Sequence, residues 1–152
     1  MTDPGQVIRR LTPIEVVSRA DDLVSLQRAA YAVEAELIGD DRIPQLTEAP
    51  TELVAAGLIW HVAEVDRRVV AAVAHSEHSG EIDIERLIVH PRWHRQGLGR
   101  RLVAALPPRP ATVSTGRDNL PARSLYESLR FCHVEDEAVL PGLWISTYRR
   151  SD

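Results

Sequence analysis

Three consecutive segments with the composition of β-strands, separated only by short turns, constrain the fold of this chain more than any other feature. Apolar and β-branched residues dominate 58–65, 69–76 and 81–90, and turn residues occupy 66–68 and 79–80. Connections this short join neighbouring strands that run in opposite directions. The pattern therefore predicts an antiparallel meander in the middle of the chain.

Helices and strands alternate on both sides of this meander. Helical spacing of apolar residues recurs after 97 and stops before the two prolines at 107–108. No internal repeat or low-complexity linker interrupts this order, so residues 1–152 are expected to form a single domain. The earlier elements are expected to be a strand at 7–11, a helix capped by Asp21 or Asp22 and ended by Gly39, a loop at 40–50, and a helix at 52–56 capped by Thr51.

The composition is that of one globular domain. With 152 residues and 44% hydrophobic content, the chain is long enough to bury a single core. No apolar stretch approaches the ~20 residues of a membrane span, and the first residues lack a signal-peptide core. We therefore expect no membrane partner and a cytoplasmic location. The single cysteine, Cys132, leaves no internal disulfide and is expected to be a small core residue at a strand start.

The basic residues are unusual in type and position. All 18 are arginines, and a chain without lysine can supply neither a Schiff-base amine nor the lysine of a phosphate-binding P-loop. The net charge of -4 argues against nucleic-acid binding. Sixteen of the 22 acidic residues lie at or before Glu85, whereas 86–117 contains seven arginines and no acid. That segment indicates either a local site for a compact polyanion or a solvated basic face.

The third strand of the meander changes its pattern midway. Ile82 and Ile84 alternate with acidic residues, but 87–89 is a continuous apolar run. A β-bulge near Glu85 would shift the alternation in this way, and bulges often lie beside active sites. A strand that enters a deeper part of the core would produce the same sequence.

A glycine-rich segment, HRQGLGRR at 94–101, leads directly into the next predicted helix. Gly97 and Gly99 lack a Cβ, so successive backbone amides can approach an anion closely. The unpaired amides and the dipole of a first helical turn also attract phosphate. A dinucleotide-binding site is less consistent with the sequence, because Leu102 stands where a third glycine would be expected.

Two motifs in this order resemble the GCN5-related N-acetyltransferase (GNAT) family. The run IERLIVHP at 84–91, followed by HRQGLGR at 94–100, is similar to the acyl-CoA-binding core R/Q-x-x-G-x-G/A. The run NLPARSLYESLRF at 119–131 resembles the second motif, N-x-x-A-x-x-L-Y-x-x-x-G-F. The resemblance implies an α/β (α+β) fold with a mixed, mostly antiparallel central sheet flanked by helices. It also implies a closing hairpin over 132–150.

The sequence departs from these motifs at two positions. His94 stands where arginine or glutamine is usual, which removes one side-chain contact to phosphate and leaves the backbone contacts in place. Arg130 replaces the glycine that normally follows the second helix. The turn there must therefore place an arginine in a left-handed conformation or avoid that conformation.

The resemblance implies a site for acetyl-CoA as co-substrate. Backbone groups of the Leu87-Ile88-Val89 run would follow the acyl-pantetheine arm, and Asn119 and Ala122 would lie beside it. The pyrophosphate would meet the amides and positive charges of the loop. The loop residues in this expected cofactor-binding set are His94, Arg95, Gln96, Gly97, Leu98, Gly99, Arg100 and Arg101.

Two side chains are candidates for catalysis. Tyr126 corresponds to the family residue that protonates the leaving thiolate, and it is also counted in the cofactor-binding set; its alternative role is a half-buried core aromatic. Glu85 is the candidate base that removes a proton from the amine, directly or through water, and its alternative role is an ion pair with an arginine such as Arg86. Glu34 and Glu36, on the helix expected to border the acceptor cleft, are further candidates for binding a cationic amine.

The sequence therefore predicts an N-acetyltransferase that moves an acetyl group from acetyl-CoA to a primary amine of a small molecule or peptide. The alternative is a CoA-sensing or protein-binding module on the same fold without catalysis. No metal is expected, because the pairs His75/His78 and His90/His94 lack a third clustered ligand. The motifs do not identify the acceptor, and a homodimer stays open as an assembly.

Overall fold

The computed structural model describes residues 6–151, which form seven β-strands and five α-helices. Two short 3₁₀ turns, Pro44–Leu46 and Pro91–Trp93, lie between these elements. The elements are, in chain order, β1 (Gln6–Arg10), α1 (Pro13–Ser18), α2 (Ala20–Ile38), α3 (Pro50–Ala55), β2 (Ile59–Val65), β3 (Arg68–His78), β4 (Glu81–Val89), α4 (Leu98–Ala104), β5 (Ala111–Gly116), α5 (Leu120–Ser128), β6 (Cys132–Leu140) and β7 (Leu143–Arg150).

The strands form one sheet in the order β1-β2-β3-β4-β5-β7-β6. Every neighbouring pair is antiparallel except β4 and β5, which are parallel. The predicted mixed, mostly antiparallel sheet with flanking helices is therefore confirmed. The predicted meander and the closing hairpin are confirmed as β2-β3-β4 and β6-β7. Asp66 and Arg67 have φ of 50° and 66°, the left-handed conformation of a tight hairpin turn.

Helices pack on both faces of the sheet, and each face has its own apolar core. On one face, Leu98 and Leu102 of α4 pack with Ile82 of β4. On the other face, Leu23 of α2 packs with Ile88 of β4. Burying each such side chain contributes about 1.5–3 kcal/mol, so the two cores provide the stabilisation of a chain that forms no disulfide.

The N-terminal helices differ from the prediction. The chain forms α1 before α2, because Thr12 Oγ1 accepts a hydrogen bond from the Glu15 amide at 3.2 Å while Glu15 Oε1 accepts one from the Thr12 amide at 3.0 Å. The N-cap of α2 is Arg19, so the expected cap at Asp21 or Asp22 is wrong. The predicted end at Gly39 is confirmed, with φ of 66°.

Two further expectations require correction, and one strand was not predicted. Helix α3 begins at Pro50 after the N-cap Ala49, so Thr51 is not its cap. Strand β5 is too short and too polar to have been recognised in the sequence. Cys132 is exposed, because it begins the edge strand β6, all nine residues of which are exposed. The expectation of a core position for this residue is therefore wrong.

None of the helices within residues 6–151 combines the length and the apolar character that a membrane crossing requires.

Candidate active site

Strand β4 contains a β-bulge at Glu85. Ile84 and Arg86 pair with successive residues of β3, which leaves Glu85 as the extra residue. Ile84 packs in the core on the α4 side, whereas Ile88 packs in the core on the α2 side. Residues four apart in a regular strand have side chains on the same face of the sheet. The bulge therefore exchanges the faces on which all later side chains of β4 lie. Of the two interpretations of the sequence pattern, the bulge is confirmed.

Beyond the bulge, β4 and β5 separate and leave a gap in the sheet. Their parallel pairing is limited to 82–84 against 111–113. The antiparallel pairing of β4 with β3 continues to Val89. One edge of β4 therefore has no strand beside it from the bulge onward, and its backbone groups are available to a ligand.

The direction of these free backbone groups follows from one hydrogen bond. The His90 amide donates to the Val70 carbonyl of β3 at 2.9 Å. Because backbone groups alternate in direction along a strand, those of Leu87 and Val89 point away from β3 and into the gap. His94 Nε2 lies 3.2 Å from the Val89 carbonyl oxygen, as expected if that oxygen lacks a strand partner.

A cavity of about 100 Å³ lies at the vertex of the gap, where β4 and β5 begin to separate. Its walls come from β4, β5, α5 and α2. The structure brings together in it six of the residues that the sequence singled out: Glu34, Glu85, Leu87, Asn119, Ala122 and Tyr126.

Tyr126 lines this cavity from the last turn of α5. The residue is 4% exposed, and its ring packs edge-on against Phe131 with a centroid distance of 5.6 Å. Burial raises the pKa of Tyr126 above its usual value, and the nearby Tyr31 and the charge of Glu34 raise it further. The hydroxyl therefore keeps its proton throughout the neutral pH range.

Glu85 is exposed at the bulge and accepts a hydrogen bond from Ser76 Oγ at 3.0 Å. Arg86 does not pair with it. The bulge turns Arg86 toward α2, where its guanidinium donates to Glu48 at 2.5 and 2.9 Å. The alternative role for Glu85, an ion pair with Arg86, is therefore wrong.

Arg86 belongs to a buried network that sequence reasoning did not detect. Its Nη1 also donates to Gln27 Oε1 at 2.9 Å, and Gln27 Nε2 donates to Glu48 Oε1 at 3.1 Å. Burial alone would raise the pKa of Glu48, but these donors outweigh it and hold the pKa below its usual range. The network joins β4, α2 and the segment before α3, which are distant in sequence.

Glu34 and Glu36, equal candidates in the sequence, differ in their surroundings. Glu34 is half-buried in the cavity, whereas Glu36 is exposed and lines a shallow surface depression at the end of α2. Burial raises the pKa of Glu34, and hydrogen bonds from the Asn119 side chain and the Gly116 amide partly oppose that shift. Asn119 can only donate to Glu34, because its Oδ1 accepts the Ala122 amide at 3.2 Å as the N-cap of α5.

The glycine-rich loop presents free amides at the start of α4. Gly97 is the N-cap with φ of 75°, and the first helical hydrogen bond runs from the Arg101 amide to the Gly97 carbonyl at 3.0 Å. The amides of 98–100 consequently have no partner within the helix. A Cβ at Gly99 would lie 3.4 Å from Leu125 of α5 and 3.7 Å from Leu87 of β4. A side chain at this position would therefore fill space between these two elements.

The side chains of the loop divide into two groups. Arg101 Nη1 donates to Gln6 Oε1 at 2.6 Å, and Gln96 also hydrogen-bonds Gln6, so both are tied to β1. Arg95 and Arg100 are exposed, and Arg100 donates to Ser128 Oγ at 2.8 Å. Arg95 has φ of 63°, a conformation that costs a non-glycine residue about 1–2 kcal/mol.

The turn after α5 tolerates Arg130 in place of glycine. Arg130 adopts the left-handed conformation with φ of 71°, and the amides of Arg130 and Phe131 donate to the carbonyls of Glu127 and Tyr126 at 3.1 and 3.0 Å. These two bonds form the paired helix ending that glycine usually supports. The departure from the motif therefore leaves the position of α5 unaltered.

Among residues 6–151, no group of three or more His, Cys, Asp or Glu side chains is placed to hold a metal ion. His75 is buried and stacks on His61 with a centroid distance of 5.7 Å.

Reasoning from the sequence did not identify two parts of the cavity lining. Tyr31 lies three residues before Glu34 on α2 and therefore on the same helical face, a spacing that could have identified it. Ser114 and Thr115 come from β5, whose short polar sequence carried no signal of its role.

The family follows from comparison with known proteins. The sequence model of the acetyltransferase (GNAT) domain matches residues 56–132, just over half of the chain. This chain belongs to the GNAT acetyltransferase family. The matched segment of this GNAT chain covers the meander, the glycine-rich loop and α5, and so includes the gap and most of the cavity.

Solved structures share the fold. The ribosomal-protein-S18-alanine N-acetyltransferase of Escherichia coli is 16% identical and superimposes with a TM-score of 0.72 over 95% of this chain and 92% of that one. The yncA protein of Salmonella typhimurium, solved with its cofactor acetyl-CoA, is 15% identical with a TM-score of 0.69 over 97% of this chain and 94% of that one. At these identities the likeness extends to the fold alone.

A relative at the sequence level is longer than this chain. The UPF0157 protein YqkA of Bacillus subtilis (strain 168) is 28% identical over 134 residues, which are 85% of this chain and 39% of that protein. The GNAT chain described here thus spans about two fifths of the length of this relative.

Proposed function

We propose that this protein transfers an acetyl group from acetyl-CoA to the nitrogen of a primary amine by direct attack. The observation that carries the proposal is the gap between β4 and β5: the backbone groups of Leu87 and the amide of Val89 border it without a strand partner among residues 6–151, and Glu85 and Tyr126 both line the cavity at its vertex. Membership of the GNAT family and the acetyl-CoA bound to the Salmonella protein support it.

Acetyl-CoA would lie along the gap. The pantetheine amides would hydrogen-bond the backbone groups of Leu87 and the amide of Val89, as an added strand would do. Its pyrophosphate would meet the amides of 98–100 and the exposed guanidinium groups of Arg95 and Arg100. The thioester would then reach the cavity that contains Tyr126.

The reaction balances with groups in that cavity. An amine that arrives as an ammonium ion loses one proton to Glu85, directly or through water, and its nitrogen then attacks the thioester carbonyl carbon. The C–N bond forms, the nitrogen loses its second proton to solvent, and the C–S bond breaks. Tyr126 donates its proton to the leaving thiolate and regains one from solvent, and Glu85 releases its proton to solvent, so that the products are an amide, CoA and one free proton.

Two measurements on the purified protein test this function. Calorimetry with acetyl-CoA measures binding, and release of free thiol from acetyl-CoA is followed with small amines, aminoglycoside-type antibiotics and peptides with free N-termini. Amine-dependent thiol release is the expected result. Binding of acetyl-CoA without release for any amine would assign a CoA-binding module, and absence of binding would overturn both.

A further inference from the structure

The proposed chemistry does not use the buried charges beside the bulge. The side chains of Arg86 and Glu48 are 8% and 15% exposed, and Gln27, which bonds to both, is fully buried. These three residues are called the Arg86 network below. Replacing a buried ion pair by apolar residues of similar volume is often neutral or stabilising, so stability alone does not account for the network. Its position indicates what it specifies, because Arg86 directly follows Glu85, the extra residue of the bulge.

The apolar run after the bulge does not define its own register. Leu87, Ile88 and Val89 are all apolar, so the cores on both faces of the sheet would accept any of them. A shift of the pairing by one residue would move all three side chains to the opposite face. The register must therefore be selected by a neighbouring residue that fits one face only.

Arg86 is a residue of this kind. Without the bulge it would lie on the same face as Ile84, in the apolar core on the α4 side, where burying an unpaired guanidinium would be costly. With the bulge, Arg86 pairs with Ala74 and lies on the α2 side. There its two terminal nitrogens donate to the two carboxylate oxygens of Glu48, a two-pronged contact that fixes direction as well as charge.

The other end of the ion pair is itself held in place. Gln27 in α2 donates to the Glu48 carboxylate at 3.1 Å and to the Gln45 carbonyl at 3.2 Å. The guanidinium of Arg86 also lies over the Trp60 ring, 5.9 Å from its centroid. The carboxylate that receives Arg86 is thus fixed by α2 and by the segment before α3, and the direction of the Arg86 side chain at the bulge is fixed with it.

We infer that Arg86 and Glu48 are positioning residues for the proposed acetyl transfer, because their ion pair fixes the register of β4 after the bulge. That register directs the backbone groups of Leu87 and the amide of Val89 into the gap, and it places Glu85 at the bulge. A shift by one residue would turn the backbone groups of Leu87 toward β3. The inference rests on the proposed function for its ligand, acetyl-CoA, and both residues act through the backbone of β4.

Removal of the whole Arg86 network separates positioning from stability. The triple variant Gln27→Met/Glu48→Met/Arg86→Met leaves no buried charge, so its free energy of unfolding should stay close to that of the wild type. Denaturant unfolding measures this quantity. If the triple variant does not fold, the double variant Glu48→Met/Arg86→Met, which keeps the hydrogen bond from Gln27 to the Gln45 carbonyl, carries the same test.

Hydrogen exchange of the β4 amides reports the register directly. In the wild type the amides of Arg86, Ile88 and His90 face β3 and should exchange slowly, whereas those of Leu87 and Val89 face the gap and should exchange faster. In the variant without the network we expect this alternation to be lost or inverted. If the variant keeps the wild-type alternation, apolar packing alone fixes the register and the inference is overturned.

Calorimetry with acetyl-CoA measures the effect on the site. The affinity of the variant without the network should fall at least about tenfold, because the backbone groups that face the gap no longer match the pantetheine arm. Glu64→Gln is a matched control: its carboxylate is 11% exposed and pairs with Arg19 at 2.9 Å, but it lies on β2, which β3 separates from β4. This control should lose stability and keep both the exchange alternation and the wild-type affinity. An equal loss of affinity in the control, or no loss in the network variant, would refute the positioning role.

The two measurements distinguish failure of this inference from failure of the proposed function. If the wild type does not bind acetyl-CoA, the proposed function fails, and the exchange pattern still decides whether the ion pair fixes the register. If the wild type binds acetyl-CoA and transfers its acetyl group, while the network variant keeps the alternation and the affinity, only the positioning role fails.

Discussion

At the scale of single residues, the cavity places a phenol and a carboxylate where the proposed acetyl transfer needs a proton donor and a base. The pKa of Tyr126 is raised by burial, so the phenol stays protonated at the pH values where an amine begins to lose its charge. Glu85 is exposed at the bulge, and the hydrogen bond that its carboxylate accepts within residues 6–151 comes from the neutral Ser76 hydroxyl, not from a cation. One group can thus donate a proton while the other receives one.

Tyr126→Phe tests the proton donor. The change keeps the ring and its packing, and it leaves no partner unsatisfied because the hydroxyl is not held by another protein group among residues 6–151. We expect turnover to fall roughly 10²–10⁴-fold with acetyl-CoA affinity nearly preserved. Tyr148→Phe is a suitable comparison, since that buried phenol hydrogen-bonds Arg123 and Glu127 outside the cavity. Full turnover in Tyr126→Phe would mean that water protonates the thiolate.

Glu85→Gln tests the base. The amide preserves shape and loses basicity, so we expect kcat/KM to fall and the rise of rate with pH to change, while acetyl-CoA binding stays intact. Both forms are compared through their pH–rate profiles with one acceptor. A kcat/KM that is the same in both forms across the profile would exclude Glu85 as the base.

At the scale of elements, the site forms at the point where β4 stops pairing with β5. The bulge reverses the facing of β4, and α4 and α5 then approach the free edge that remains. A Cβ at Gly99 would be in van der Waals contact with Leu125 and Leu87, at 3.4 and 3.7 Å. Methyl groups beyond that Cβ would therefore have to displace these side chains of α5 and β4.

Gly99→Val tests the effect of this displacement. The added methyl groups would occupy space between α4, α5 and β4, and we expect acetyl-CoA affinity to fall more than folding stability does. Calorimetry gives the first quantity and thermal unfolding the second. An unchanged affinity together with a native melting curve would show that the gap does not bind the co-substrate at this point.

At the scale of the whole molecule, one buried ion pair links parts of the chain that no local pattern connects. Arg86 and Glu48 have side chains that are 8% and 15% exposed, and together with Gln27 they tie β4 to α2 and to the segment before α3. Removing one partner of such a pair leaves the other charge buried, at a cost of about 3–5 kcal/mol.

Glu48→Gln is therefore expected to lower the free energy of unfolding by about 3–5 kcal/mol at neutral pH. Because the pKa of Glu48 is held below its usual 4.5, the part of its contribution that depends on its charge is fully present above pH 4.5 and is lost as pH falls through the lowered value. Denaturant unfolding at several pH values should show the difference between the two proteins becoming smaller in acid. Glu81→Gln, which breaks the exposed pair with Arg149, should cost at most about 1 kcal/mol. If the two variants lost the same free energy of unfolding, the larger contribution expected of the buried pair would be contradicted.

Local sequence predicted the elements whose signals are local. The meander, the helix ending at Gly39, the glycine-rich loop and α5 were all recognised, because alternation, turn residues and caps act within a few positions. The signal for α1 was also present, since the residues TPIE at 12–15 form a capping box, but it was overlooked. The exposure of Cys132 could not be predicted, because an edge strand has the same local pattern as a central one.

What the sequence determined by itself was the meander, the glycine-rich loop and α5, together with half of the residues that line the cavity. It offered the bulge near Glu85 as one of two interpretations, and the pairing of β3 with β4 decided between them. Only the tertiary structure decided that Arg86 pairs with Glu48 and not with its neighbour Glu85, and that Glu34 rather than Glu36 faces the cavity. The physical reason is that alternation and helical spacing define the relative faces of one element, whereas a contact between elements depends on how those faces pack. Glu48 and Arg86 are 38 positions apart in the sequence, and they meet because the elements that carry them pack together.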